Sequence, residues 1–202
     1  MKIIGVTGPS GCGKGFLSAE LARRGYVHAD ADRIYHDLLA SSAPLREELV
    51  HAFGKDIEKD GAIDRKVLGG KVFGAKNRRK LERLNKITHK YVCREYIRLI
   101  LRLKAEGAKG IIIDAPLLIE ARLHKLCDLN VAVLCNMETR IARIMARDNI
   151  SREAALLRLR SQKPAAYYIH ACDHVFINEP DTDTAVGTAD RIEKLLWEDQ
   201  EH

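Results

Sequence analysis

The sequence predicts an α/β fold in which a parallel sheet of five strands is covered by helices on both faces. Three observations predict it. Five short, largely apolar runs, at 3–6, 26–29, 110–114, 130–135 and 174–178, are each followed by a helical or polar segment, the alternation that yields parallel strands buried on both faces. The first run opens straight into a glycine-rich loop and a helix. The second and third runs are separated by a long, mainly helical stretch, 33–106, too long for a simple crossover.

The first strand leads into Gly8-Pro9-Ser10-Gly11-Cys12-Gly13-Lys14, a G-x-x-x-x-G-K phosphate-binding loop. Its glycines let backbone N–H groups turn inward around a phosphate chain. The helix beginning near Lys14 adds the partial positive charge of its N-terminus, and Lys14 reaches the terminal phosphates. The natural guest is a nucleoside triphosphate, held by Gly8, Gly11, Cys12, Gly13, Lys14, Gly15 and Phe16. The Ser or Thr that normally follows the lysine and holds Mg²⁺ is here Gly15, with Phe16 next. The loop is therefore strong as a phosphate cradle and imperfect as a metal site. Cys12 sits inside it, where Lys14 and the helix N-terminus favour its thiolate.

The first helix carries Leu17, Leu21 and Ala22 at helical spacing and stops at Gly25, a suitable C-terminal cap, so the turn into the second strand is short. That strand runs out in His28-Ala29-Asp30-Ala31-Asp32. Ligands of a parallel sheet gather beyond the C-terminal strand ends, which puts Asp30 and Asp32 near the loop. A carboxylate there accepts a proton from an attacking hydroxyl or helps hold Mg²⁺. Asp32 reads equally as an N-cap for a helix containing Ile34, Leu38 and Leu39.

The stretch 33–106 is broken at Ser41-Ser42-Ala43-Pro44 and at Asp60-Gly61. It reads either as a subdomain that closes over the substrate or as a bulky helical crossover. His89 lies inside it, as a structural residue or a substrate contact. The third strand closes on Asp114, either a metal ligand beside the loop or the start of the turn at Ala115-Pro116. After the fourth strand a helical run carries Arg140, Arg143 and Arg147 on roughly one face. Arg147 reads as a phosphate clamp or as a surface partner of Glu138 or Asp148. The end, 184–197, reads as an amphipathic helix with Ile192, Leu195 and Leu196 on one face and Trp197 as a packing residue.

Composition narrows the setting. At 202 residues the chain suits one domain, 1–202, with a substantial core. A net charge of +6 fits a polyanionic small substrate or nucleic acid, although Lys76-Asn77-Arg78-Arg79-Lys80 and most other basic residues read as solvated helix faces. The five cysteines are scattered without C-x-x-C spacing, which suggests neither a disulfide framework nor a zinc site, and most read as buried thiols. With no signal-peptide pattern and no apolar run near the ~20 residues that span a bilayer, the expected location is cytoplasmic.

Several separated segments resemble the dephospho-coenzyme A kinase family over nearly the whole chain: the phosphate loop, Asp30-Ala31-Asp32, Phe53-Gly54, Asp60-Gly61-Ala62-Ile63-Asp64-Arg65, Leu84-Asn85 with His89, Pro116-Leu117-Leu118-Ile119-Glu120, Arg147-Asp148 and Gln162. The resemblance implies a P-loop kinase fold, with a helical substrate-binding region at 33–106 and a lid at 147–170. It implies transfer of the ATP γ-phosphoryl group to the ribose 3′-hydroxyl of dephospho-coenzyme A, the final step of coenzyme A biosynthesis, with Mg²⁺ and with neither nucleic acid nor membrane as partner. On this resemblance Asp32 looks like the base, Lys14 the phosphate lysine, Arg147 the lid arginine and His89 a substrate-side residue, while the strand-end positions of Asp114 and Asp32, with Gly15 lacking a hydroxyl, make these two the expected metal carboxylates and Asp114 a further substrate-side residue. Four positions depart from the family pattern: Gly15, Lys90 after the histidine where proline is common, Tyr168 where a basic lid residue is common, and Pro180 near a usual glycine. The competing readings are another small-molecule or nucleotide kinase on the same scaffold and a catalytically weakened nucleotide-binding relative.

Overall fold

The computed structural model describes residues 1–73, 77–179 and 184–197. Lys76 of the basic cluster and Pro180 lie outside the described residues. In chain order the strands are β1 (Lys2–Thr7), β2 (Tyr26–Asp30), β3 (Glu58–Lys59), β4 (Ala62–Ile63), β5 (Gly110–Asp114), β6 (Leu129–Leu134) and β7 (His174–Ile177). The helices are α1 (Lys14–Arg23), α2 (Ala31–Ser41), α3 (Ala43–Phe53), α4 (Arg65–Val72), α5 (Arg78–Ala105), α6 (Met137–Asp148), α7 (Arg152–Arg160), α8 (Ala165–Ala171) and α9 (Ala185–Trp197). The chain divides into two compact units, Met1–Asp30 with Leu103–His202, and Ala31–Arg102.

The first unit holds a five-stranded parallel sheet in the order β2-β5-β1-β6-β7. Every residue of β5 and β6 is buried, which is why both read as nearly unbroken apolar runs rather than alternating ones. Ile4, Val6, Ile112, Val131, Val133 and Phe176 of the sheet pack with Leu17 and Leu21 of α1 and with Ala189, Ile192 and Leu196 of α9. Leu195, expected on that buried face, is 43% exposed, because the helix turns Ala185, Ala189, Ile192 and Leu196 inward instead. Trp197 sits at the edge, its indole N–H donating to the Tyr26 hydroxyl at 3.0 Å. β1 is central, with β5 on one side and β6 on the other, so the chain leaves its C-terminal end where crossovers depart in both directions.

Two capped helices follow β6. Asn136 accepts the Thr139 N–H at 2.8 Å to start α6, and Ser151 accepts the Ala154 N–H at 3.3 Å to start α7. Asn149, in the left-handed region at φ 51°, ends α6 and turns the chain back. Ile141 and Ile144 then pack with Ala155 and Leu159 in a cluster of their own.

The second unit buries a separate core, including Leu39, Leu45, Leu49, Ile57, Leu68, Val72, Leu84 and Ile87. The Ser41–Pro44 break separates α2 from α3, with Ser42 capping Leu45 N–H at 3.3 Å and Pro44 tolerated in the first turn. At Asp60-Gly61 the sequence suggests only an interruption, whereas the chain forms a two-stranded antiparallel hairpin, β3 with β4. Asp60 at φ 52° and Gly61 at φ 75° supply the paired positive φ values that a tight two-residue hairpin turn needs.

Phe176 is fully buried in the sheet core. Phe176→Ala is expected to cost about 3–5 kcal/mol of unfolding free energy, measured by urea denaturation, because the cavity cannot collapse between sheet and helices.

Candidate active site

The phosphate loop joins β1 to α1 and adopts a path closed to side chains. Gly8 lies at φ 142°, and a Cβ there would meet the Val133 carbonyl oxygen at 2.2 Å. Gly13 lies at φ 80°, and a Cβ would meet Asn178 Nδ2 at 2.3 Å. Side chains arriving from outside the loop hold its carbonyls one after another. Arg140 Nε donates to Ser10 O at 3.0 Å, Arg143 Nη1 to Gly11 O at 3.5 Å and Cys12 O at 3.4 Å, and Asn178 Nδ2 to Cys12 O at 2.8 Å. Across a trans peptide the N–H points opposite to the C=O, so the N–H groups of Gly11 and Gly13 face the other side, into the concavity. The first turn of α1 adds N–H groups that have no acceptor within the helix. Lys14 folds over this concavity, its Nζ donating to Gly8 O at 3.0 Å.

Three arginines of α6, at i, i+3 and i+7, lie along the loop. Arg140 and Arg143 hold carbonyls, while Arg147 Nη2 reaches Ser10 Oγ at 3.4 Å. Arg147 also grips Asp148, Nε to Oδ1 at 2.8 Å and Nη2 to Oδ2 at 2.9 Å, and Arg158 binds the same carboxylate. These partners hold the Asp148 carboxyl at about 2, Arg147 first among them. Of the two sequence readings of Arg147, the structure shows the ion pair, with Asp148 and not Glu138 as the partner. Glu138 is taken by Arg152 through two bonds of 2.8 Å.

Asp114 ends β5 directly opposite Val6 of β1 and Asp30 of β2. It is buried, with Ser18 Oγ donating to Oδ2 at 3.0 Å and His28 Nε2 3.2 Å from the same oxygen. The bond to Asp114 raises the His28 pKa above its ordinary 6.5, against the opposing effect of burial. Beside this cluster, a Cβ added at Gly15 would meet nothing within 4 Å. Phe16 is exposed.

Cys12 is buried, and its thiol falls to about 7. The leading cause is a hydrogen bond from Cys135, opposed by burial and aided by Arg140, with Lys14 contributing least. The sequence expectation named the minor contributor because residue 135 is remote in the chain. All five cysteines are free, and Cys12 alone is buried; the other four are half-buried, which corrects the expectation that most are buried.

Asp32 and His89 belong to the 31–102 unit. Asp32 is exposed in the first turn of α2, which starts at Ala31, so it lies two positions beyond the N-cap, which is Asp30. His89 is half-buried on α5. The sequence reading did not single out Ser18, His28, Asn178 or Cys135 for chemistry. Two signals pointed to the first pair: Ser18 is a hydroxyl one turn beyond Lys14 between Leu17 and Leu21, and His28 shares a strand face with Asp30.

A family model described as dephospho-CoA kinase matches residues 2–184. The chain belongs to the dephospho-CoA kinase family. A dephospho-CoA kinase of Carboxydothermus hydrogenoformans is 38% identical over 201 residues, 98% of this chain and 97% of that one. Among solved structures, the dephospho-CoA kinase of Campylobacter jejuni is 25% identical with a TM-score of 0.68, covering 98% of each chain. A protein of Thermus thermophilus is 27% identical with a TM-score of 0.76, covering 100% of this chain and 98% of that one. As a member of the dephospho-CoA kinase family the protein is an ATP-dependent phosphotransferase acting on a hydroxyl, in the final step of coenzyme A biosynthesis. Among the described residues no helix is long and apolar enough to cross a membrane.

Tyr168 is buried against Ala132 and Leu134. Burial pushes its hydroxyl up to about 12, so here it packs rather than carrying charge. Lys90 pairs with Glu48 at 2.5 Å and lies over the Tyr91 ring.

The raised His28 pKa fixes a sign. Its bond to Asp114 adds stability that is fully present below about pH 6.5, the unfolded value, and is lost as pH rises through the higher folded value. In the metal-free protein, an NMR titration of the His28 ring is expected to give a midpoint above 6.5, moving down in Asp114→Asn. A midpoint unchanged by that substitution would exclude the pairing in solution.

Proposed function

We propose that this chain phosphorylates the ribose 3′-hydroxyl of dephospho-coenzyme A, with the triphosphate of ATP in the 8–16 loop and its outer phosphates between Lys14 and Arg147. The observation that carries the reading is the loop itself: carbonyls tied outward by Arg140, Arg143 and Asn178, N–H groups turned inward, and a further arginine of the same helix reaching Ser10. Such a cradle offers fixed donors to charge that spreads over phosphoryl oxygens during transfer. Arg147 suits that charge because its planar guanidinium binds two oxygens at once, as it binds Asp148 here.

In this reading Asp32 accepts the proton of the attacking hydroxyl, and His89 contacts the acceptor. The helical region 33–106 binds dephospho-coenzyme A and 147–170 acts as the lid, within one kinase domain, 1–202, working in the cytoplasm. A cavity of about 460 Å³ between α2 and α5 has apolar walls at Ile34, Leu38 and Leu99 and a mixed charged rim in which Arg98 and Arg102 stand beside Asp37 and Glu95. The residues also fit Mg²⁺, which takes oxygen ligands and retains water. Asp114 supplies a buried carboxylate whose Oδ2 is already oriented by Ser18 and His28, and Asp32 would supply the second. When bound, the ion neutralises phosphate charge.

The test is a coupled ATP-consumption assay with dephospho-coenzyme A, with and without Mg²⁺, against a panel of other hydroxyl acceptors. Asp32→Asn is expected to lower kcat at least ~100-fold while ATP affinity stays within about threefold, since the amide keeps the shape and cannot take the proton. Loss of ATP binding instead would remove the base role and leave Asp32 to the metal or the fold alone.

Gly15 supplies a separate test. Open space at its Cβ position means a serine enters without displacing a neighbour. Gly15→Ser is expected to reduce the Mg²⁺ concentration giving half-maximal activity by roughly two- to tenfold with acceptor preference unchanged, and Asp114→Asn to raise it. Superimposable Mg²⁺ titrations for the three proteins would reject the division of labour between the carboxylates and the missing hydroxyl.

A further inference from the structure

Gln162 is half-buried just beyond the end of α7, and its side-chain oxygen accepts two hydrogen bonds from two other parts of the first unit. The Ser10 backbone N–H donates to Oε1 at 3.0 Å, and Arg140 Nη2 donates to the same atom at 2.6 Å. Both partners are donors only, so the amide can meet them only through its carbonyl oxygen. Arg140 simultaneously donates through Nε to Ser10 O. Ser10, Arg140 and Gln162 thus close a triangle in which one residue of the loop is held at both its N–H and its C=O.

The other corner of α7 leads to Arg147. Gln162 N–H donates to Leu159 O at 3.1 Å and Ser161 Oγ to Arg158 O at 2.8 Å, which fixes the backbone of the helix end to the side chain that touches the loop. Arg158, on that same turn, binds the Asp148 carboxylate, and Asp148 holds Arg147 through two bonds. Where Gln162 docks on Ser10 therefore sets where α7 ends, where Arg158 grips Asp148, and where Arg147 stands over the loop.

We propose that Gln162 is a positioning residue for phosphoryl transfer: its amide oxygen fixes the lid segment on the crown of the phosphate loop and so sets the place of Arg147. The proposal rests on the kinase reading above. It requires a side chain with glutamine's reach and an acceptor atom, and it acts through Ser10 and Arg140 rather than by touching substrate. The inward N–H groups of the loop and Lys14 do not depend on it, so nucleotide affinity is spared while alignment for transfer is lost.

The experiment compares the wild type with Gln162→Ala, Gln162→Glu, Arg140→Ala and the Gln162→Ala/Arg140→Ala double variant. It reads kcat, both KM values, thermal midpoints and hydrogen exchange of the Ser10 amide. Gln162→Ala is expected to lower kcat by about 10- to 100-fold, the cost of a misplacement near 1 Å, with both KM values within about threefold. Its Ser10 amide exchanges faster. Gln162→Glu keeps the reach and the acceptor, so Ser10 stays protected and kcat partly recovers, while the added negative charge beside the phosphates raises the KM for ATP. The double variant loses no more than the worse single one, because both act through the same triangle.

Wild-type kcat in Gln162→Ala, a loss accounted for by a fallen thermal midpoint, or multiplying losses in the double variant would each overturn the proposal. Ser10 exchange is read without acceptor, which separates the two ideas. A wild type that transfers nothing to dephospho-coenzyme A defeats the acceptor reading alone, and Ser10 exchange unaltered by Gln162→Ala defeats the clamp alone.

Discussion

Turning a run of backbone N–H groups toward one point forces the matching carbonyls outward, and the structure depends on what receives them. A buried carbonyl left without a donor costs about 1–3 kcal/mol, and the loop presents several in succession. Arg140, Arg143 and Asn178 take those of Ser10, Gly11 and Cys12, and Lys14 takes that of Gly8. The cradle is therefore not a property of its glycines alone. Glycine permits the path, as the 2.2 Å approach to Val133 O at Gly8 shows, but donors carried by α6 and by the exit of β7 stabilise it.

This arrangement couples loop shape to the position of Arg147 through a single helix. The same face of α6 that stabilises the carbonyls carries Arg147 two turns beyond Arg140, so the spacing of 3.6 residues per turn converts sequence separation into a fixed offset along the loop. The helix is held at its start by Asn136 and at its end by Asn149 in the left-handed conformation. Concentrating guanidinium groups beside a loop is electrostatically unfavourable without counter-charge. Asp148 supplies it for Arg147 and Arg158, and loop carbonyls supply partial negative charge for Arg140 and Arg143. In the proposed reading a phosphate arriving at Arg147 meets a side chain already ordered by a carboxylate, so part of the ordering cost is met before binding.

What the sequence made legible follows from how local the physics is. The strand runs 110–114 and 130–135 fall within a residue of β5 and β6, because burial on both faces leaves an apolar signature. The loop is legible because its chemistry is contiguous from Gly8 to Lys14. The hairpin β3–β4 escaped notice since two-residue strands carry too little pattern, although Asp60-Gly61 announced its turn. The least legible features are the distant pairings: Asp114 with Ser18 and His28, Asn178 with Cys12, and Gln162 with Ser10. Each joins residues at least 86 positions apart, and no periodicity of 2 or 3.6 carries that information. Arg140 and Arg143 were visible as a stripe, but not as donors to carbonyls, since that role exists only once the loop has folded.

Gly15 and Ser18 show how the site manages without the usual hydroxyl after the lysine. Ser18 is not a displaced replacement for it. Its hydroxyl donates to Asp114 Oδ2, and His28 meets the same oxygen, so both act on the carboxylate as donors and turn it toward one orientation. A carboxylate buried at a strand end must have such donors, because burying it unpaired would cost more than the fold can supply. Meanwhile a Cβ at Gly15 would meet nothing within 4 Å, space that water can enter. In the proposed reading the cation would be held by water and oriented carboxylates rather than by a hydroxyl fixed on the loop. Affinity for the ion then depends on how rigidly Ser18 and His28 hold Asp114, which moves the tuning of the metal site off the loop and onto α1 and β2.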